Sequence, residues 1–138
     1  MLVVALDVGT SSARARVFDA EGRALPGAEG HVAYEPSTTP DGGVELDPGA
    51  LLEAVADALD RCLAGAGARA GDVAAVGASV FWHSLLALDR DGRPLTSVIT
   101  WADTRSAASE VLAASESVEA AGIGLQRRIE DFLGRVAV

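Results

Sequence analysis

The sequence predicts an α/β domain: a mixed sheet opened by an antiparallel three-strand meander, with helices packed on it. Three observations carry this. An apolar run, Leu2-Val3-Val4-Ala5-Leu6, is followed by two further strand-like segments, joined by short polar turns. Asp47-Pro48 then opens a segment whose apolar residues recur at helical spacing. Strand-like runs resume after that helix, giving the order strand, strand, strand, helix, strand, strand, strand, helix, helix.

The first run is short and continuous, the pattern of a strand buried on both faces. Residues 13–19 alternate, with Ala13, Ala15 and Val17 on one side and Arg14, Arg16 and Phe18 on the other. Residues 19–23 read as a tight turn, and a third strand is expected at about 28–34. Residues 36–43 are rich in Pro, Thr, Asp and Gly and read as a loop. Asp47 suits a helix N-cap and Pro48 the first helical position. Leu52, Val55, Leu59, Cys62 and Leu63 form the expected buried stripe of that helix, which should stop near Gly65 or Gly67. Cys62 is read there as a core residue. Strands are expected at 73–80, 84–88 and 94–100, with a turn at 89–93. Helices are expected at 104–121 and 125–136, the latter with Leu125, Ile129, Phe132, Leu133 and Val136 on one face.

Composition narrows the function. The 138-residue chain is 49% hydrophobic and 22% charged, as expected of a globular domain. Its net charge of −9 argues against a nucleic-acid partner, because such binding relies on cations that displace phosphate counterions. All 11 basic residues are arginines. Without lysine there is no G-x-x-x-x-G-K-[ST] phosphate loop and no Schiff-base chemistry. One cysteine and two histidines provide neither a disulfide nor a recognisable metal motif. The apolar run at residues 2–6 is too short for a signal-peptide core or a membrane span, so a cytoplasmic protein without a membrane partner is expected.

The strongest local signal lies between the first two strands. An apolar strand ends at Asp7, and Gly9-Thr10-Ser11-Ser12 turns the chain into the next. Glycine lets a phosphate approach the backbone, and turn amides and hydroxyls can donate to its oxygens. Asp7 can organise Mg2+ directly or through its water shell. Arg14 can add a bidentate phosphate contact. An ordinary hairpin with a polar turn accommodates the same residues.

Two polar-aromatic clusters close later strands: Ser79-Val80-Phe81-Trp82-His83-Ser84 and Thr100-Trp101-Ala102-Asp103-Thr104-Arg105. Indole rings stack on the C–H faces of sugars, while His, Asp and Arg satisfy hydroxyls and carboxylates. Two buried core tryptophans, with Asp103 and Arg105 as a surface pair or helix cap, fit the same pattern.

Taken together, these blocks resemble the FGGY family of carbohydrate kinases, within the actin-like ATPase (ribonuclease H-like) superfamily. Val4-Ala5-Leu6-Asp7-Val8-Gly9-Thr10-Ser11-Ser12-Ala13-Arg14 is similar to the first phosphate motif of glycerol, xylulose and gluconate kinases. Gly43-Val44-Glu45-Leu46-Asp47-Pro48 is similar to the family's acidic-proline approach to its first helix. Trp82-His83-Ser84-Leu85-Leu86, and Pro94-Leu95-Thr96 through Trp101-Ala102-Asp103-Thr104-Arg105-Ser106, look most like the gluconate-kinase branch. The resemblance runs from residue 2 to about 110, so 1–110 is expected to be an incomplete amino-terminal domain and 111–138 a helical tail unlike the family.

The resemblance implies ATP and Mg2+ as cofactors and transfer of the γ-phosphoryl group to a hydroxyl of a sugar, sugar acid or polyol. By it, Asp7 sits by the Mg2+ and the transferred phosphate, and Gly9, Thr10, Ser11, Ser12 and Arg14 serve the nucleotide phosphates. Trp82, His83, Trp101 and Asp103 fall at acceptor-side positions. The aspartate base, the second phosphate motif and the adenine pocket are expected outside this chain, as in a truncated, frameshifted or split gene product. The chain is then expected to be inactive alone, to self-associate or to take a complementing second lobe. A non-catalytic binding remnant of the same fold is the alternative. A ribonuclease H-like nuclease needs carboxylates clustered about two metals, which Glu45 and Asp103 do not suit.

Overall fold

A computed structural model of the protein describes residues 1–105. Contacts divide the chain into Met1–Asp103 and Thr104–Val138. The helices expected at 104–121 and 125–136 lie outside the described residues, apart from Thr104 and Arg105.

The expected meander is present. Strands β1 (Leu2–Val8), β2 (Ser12–Asp19) and β3 (Ala24–Ala33) pair antiparallel in sequence order. The next elements are β4 (Ser37–Thr38), β5 (Val44–Leu46), helix α1 (Pro48–Ala66), a 3-10 segment (Gly67–Asp72) and β6 (Val73–Val80). Strand β6 returns parallel to β1, giving a mixed sheet ordered β3-β2-β1-β6. A second small sheet, β4-β5-β7, is completed by β7 (Val98–Ile99).

The β2–β3 turn is fixed by Asp19, whose carboxylate accepts from the amides of Glu21 and Arg23 and from the Arg23 side chain. These bonds, led by the one from the Arg23 amide, hold its carboxyl below the usual aspartate range. The turn contacts are therefore present above the unfolded-state pKa and are lost as pH falls through the lower folded one.

Helix α1 starts as its sequence requires. Asp47 has an extended backbone, and its Oδ1 accepts from the Ala50 amide at 2.7 Å, with Pro48 in the first turn. Replacing Asp47 with alanine leaves that amide without its cap, and chemical denaturation should register a loss of about 1 kcal/mol.

The buried seam of α1 differs from expectation. Ala54, Ala58, Cys62 and Ala66, four residues apart, are the fully buried positions, with Val55, Leu59 and Leu63 packed beside them. Leu52 is 70% exposed. The cause is how close the helix comes: a Cβ built on Gly30 of β3 would lie 1.9 Å from the Ala58 carbonyl oxygen. Only small side chains fit a contact that tight, so size and hydrophobicity together misplace the stripe. Cys62 is a core residue as expected, its thiol donating to the Ala28 carbonyl oxygen. Burial, with the charge of Glu29 adding to it, raises that thiol's pKa.

Helix α1 covers one sheet face, where Leu2, Val4, Ala13, Ala15, Val17 and Ala28 form the core. Strand β1 is consequently not buried on both faces: Ala5 and Asp7 are exposed. Most of β6 is exposed too, including Val76 and Val80.

The later strands are shorter than expected. Residues 84–88 form only isolated bridges, Leu85 with Ile99 and Leu88 with Pro94, and the strand expected at 94–100 shrinks to β7. Proline offers no amide to a ladder, and Asp89 takes the Asp91 and Arg93 amides into a turn instead. The loop expected at 36–43 contains β4, which pairs with β5 around a Thr39–Gly42 turn.

Candidate functional site

The site follows from parallel pairing at one end of the main sheet. Val8 of β1 and Val80 of β6 are register partners, and the Phe81 amide donates to the Val8 carbonyl at 2.9 Å. The chain segments leaving these two strands therefore emerge side by side. Crevices beyond the carboxyl ends of parallel strands are where open α/β sheets bind ligands.

A cleft of about 370 Å³ lies there, lined by Gly9, Thr10, Phe81, Trp82, His83 and Trp101. The Gly9–Ser12 turn and both tryptophan clusters thus converge on one space. Trp82 and Trp101 are 78% and 62% exposed, which removes the reading of two buried core tryptophans. His83 has a φ of 59°, the one positive value at a non-glycine residue among those described. Its ring stacks on Trp82, centroids 5.5 Å apart and planes 4° from parallel. Backbone held in this sparse region points to a positional requirement.

Trp101 reaches the cleft from the second sheet. Leu85 and Ile99 exchange backbone hydrogen bonds of 2.9 Å in both directions, and Thr100 donates to the Val44 carbonyl through its amide and its hydroxyl. Asp103 lies outside the cleft lining; its Oδ2 accepts from the Val44 amide at 3.1 Å, tying the segment to β5.

At the turn, the Gly9 amide donates to the Ser12 carbonyl at 2.9 Å, closing the hairpin. The Thr10 and Ser11 amides have no backbone acceptor among the described residues. Thr10 lines the cleft, Ser11 is exposed, and Ser12 is 5% exposed at the start of β2. Gly9 has a negative φ, and a Cβ there would meet nothing nearer than the Ser12 carbonyl oxygen at 3.4 Å. The fold itself therefore does not demand a glycine, and the absent side chain leaves room in the cleft.

Asp7 and Arg14 are cross-strand partners with a 3.6 Å contact between carboxylate and guanidinium, both more than half exposed. Such a pair adds roughly 0–1 kcal/mol to stability. It leaves a carboxylate beside the turn that suits a Mg2+ carried in by nucleotide phosphates and keeping most of its water. No cluster of three or more metal-ligating side chains occurs among the described residues, so a cage built from protein alone does not fit.

Sequence reasoning placed Phe81 in a cluster without giving it a role, and missed Tyr34. Phe81 lines the cleft, and Tyr34, the only tyrosine, donates its hydroxyl to the Gly9 carbonyl and its amide to the Ser11 carbonyl. A lone tyrosine at the end of a strand was the available signal.

The family model for the FGGY family of carbohydrate kinases, N-terminal domain, matches residues 2–123. The chain belongs to the FGGY family of carbohydrate kinases. Among relatives of this FGGY chain, the glycerol kinase of Allorhizobium ampelinum is 36% identical over 107 residues, 77% of this chain and 21% of the relative. The glycerol kinase of Beutenbergia cavernae is 35% identical over 119 residues, 85% of this chain and 23% of the relative. A xylulose kinase structure from Brucella ovis superposes with a TM-score of 0.76 at 26% identity, covering 87% of this chain and 25% of that one. The gluconate kinase of Lactobacillus acidophilus gives 0.68 at 26% identity, over 91% and 23%. The fold of this FGGY chain is therefore the actin-like ATPase fold of these kinases, and the chain spans about a fifth to a quarter of their length.

Proposed function

We propose that this FGGY chain is the amino-terminal part of an ATP-dependent kinase that phosphorylates a hydroxyl of a sugar, sugar acid or polyol. The observation that carries the reading is the single cleft shared by Gly9 and Thr10 with Trp82, His83 and Trp101. In the reaction the acceptor oxygen bonds to the γ-phosphorus of ATP, the bond from that phosphorus to the β-phosphate oxygen breaks, and ADP leaves. The hydroxyl proton passes to a carboxylate expected from a second lobe outside this chain.

On this reading the Thr10 and Ser11 amides and hydroxyls hold phosphate oxygens, with Gly9 leaving room for them. Ser12 fixes the turn through its carbonyl. Asp7 would hold the metal ion directly or through its water shell, and Arg14 would keep the carboxylate in place and balance phosphate charge. When bound, Mg2+ offsets charge on the phosphates. Positioning and charge neutralisation supply most of the catalysis in phosphoryl transfer. The Trp82–His83 stack and Trp101 offer flat apolar faces to the C–H side of the acceptor. Asp103 supports Trp101 through Val44.

The gluconate-like preference rests on the Trp82–Leu86 and Trp101–Ser106 blocks, whereas the glycerol kinase relatives weigh toward polyols. A cytoplasmic location and a complementing second lobe belong to the same proposal. Among the described residues, no helix is long and apolar enough to cross a membrane.

The test uses the protein's own probes, since its only two tryptophans both line the cleft. Titration with Mg·ATP, and separately with glycerol, xylulose and gluconate, should shift or quench tryptophan emission saturably. Emission indifferent to nucleotide and to all three acceptors would sink the reading. ADP release by the isolated chain at enzyme-like rates would instead overturn its dependence on a second lobe.

A further inference from the structure

Resting on the phosphate-binding reading of the turn, a further role falls to Tyr34. We propose that Tyr34 is a positioning residue for the Gly9–Ser12 turn, holding it from behind so that the Thr10 amide stays turned away from the core.

The geometry is specific. The Tyr34 hydroxyl donates to the Gly9 carbonyl, and the Tyr34 amide donates to the Ser11 carbonyl at 3.0 Å. One residue therefore takes two of the turn's carbonyls. A trans peptide is planar, with its C=O and the following N–H pointing in opposite directions. Fixing the Gly9 carbonyl on Tyr34 thus directs the Thr10 N–H away from Tyr34, and Thr10 is a residue that lines the cleft.

The ring is well placed to act as a strut. Tyr34 follows the last residue of β3 and is half-buried against the core, on the wall of a groove shared with Val32 and with Ala50, Glu53 and Ala54 of α1. Burial, and then the negative charge of Asp7, raises the hydroxyl's pKa, so it remains a donor throughout the neutral range. A phenylalanine would fill the same space without gripping the turn.

The experiment compares the chain with Tyr34→Phe, and with Asp19→Ala as a control that loosens the opposite end of the β1–β2 pair, where Asp19 faces Leu2. Amide hydrogen exchange in nucleotide-free protein is read at Gly9 and at position 34, whose amides are bonded to the Ser12 and Ser11 carbonyls. Tyr34→Phe should accelerate exchange at both by about three- to tenfold, the effect of deleting one hydrogen bond. Mg·ATP affinity, read by tryptophan emission, should fall by a similar factor. Asp19→Ala should lower the melting temperature while leaving both readouts unchanged.

Exchange at Gly9 and position 34 that is unaltered in Tyr34→Phe overturns the proposal. So does an equal acceleration in the Asp19→Ala control, because the effect would then be general loosening. If the parent chain binds no Mg·ATP, the phosphate-binding reading fails separately, and the exchange comparison still decides whether Tyr34 holds the turn.

Discussion

Replacing Gly30 with alanine is expected to destabilise the domain by about 3 kcal/mol or more, at or beyond the upper end of ordinary overpacking. The added Cβ would lie 1.9 Å from the Ala58 carbonyl oxygen, 2.8 Å from its carbon and 3.1 Å from its Cα. All three are backbone atoms in the middle of α1, so no side-chain rotation relieves the overlap. The helix must move off β3, opening the Ala54, Ala58 and Cys62 seam along its length. Gly65 should behave alike, since its Cβ would lie 2.0 Å from the Gly27 carbonyl oxygen. Gly77 is the internal control: it lies in a strand, has no positive φ and would place a Cβ with nothing within 4 Å. Gly77→Ala should be neutral or stabilise slightly, by less than about 1 kcal/mol. Urea denaturation of the three variants checks this, and a Gly30→Ala midpoint equal to that of the parent would refute the close approach. Against a typical total stability of about 5–15 kcal/mol, the Gly30 change alone is enough to threaten folding.

Gly9→Val should produce the opposite pattern, a folded protein that no longer binds. Gly9 has a negative φ, and its nearest neighbour to a new Cβ is 3.4 Å away, so stability should change by no more than about 1 kcal/mol. The branched side chain would project where Gly9 and Thr10 line the cleft. Mg·ATP affinity should fall by at least about tenfold, equivalent to roughly 1.4 kcal/mol of binding free energy. Parallel melting curves and tryptophan-emission titrations separate the two effects. Parent-like affinity in Gly9→Val would remove the turn from the nucleotide site, and a collapse in stability would assign its glycine to the fold instead.

Much of this was legible from residue order, and the exceptions have physical causes. The meander could be read because β2 alternates cleanly, Ala13, Ala15 and Val17 against Arg14 and Arg16, and short polar turns flank it. The helix start could be read because Asp47-Pro48 is a local signal whose geometry depends on neighbours within three residues. Cys62, Val55, Leu59 and Leu63 could be read into the α1 stripe, but the alanines of its seam could not, because the approach at Gly30 is a long-range fact that turns alanine into the preferred core residue. Strand β4 and strand β7 are two residues each, too short to show any period. In the candidate site, the tryptophans and the turn were found as separate motifs. Their meeting in one cleft follows from the parallel pairing of β1 with β6, which no local pattern encodes. Tyr34 was missed because its importance lies in two bonds to residues far earlier in the chain.

The cleft's two walls belong to different sheets. Gly9, Thr10 and Trp82 continue from the ends of β1 and β6, whereas Trp101 follows β7 in the sheet built on β5. The two walls are therefore held together by bonds that lie outside the cleft. Those bonds are the Leu85–Ile99 pair, which ties the segment after β6 to β7, and the Val44 bonds to Thr100 and Asp103, which tie the end of β7 to β5. Substituting Thr100 or Asp103 should therefore shift Trp101 while leaving every cleft residue intact, and on the proposed reading that changes the room for an acceptor from positions outside the cleft lining.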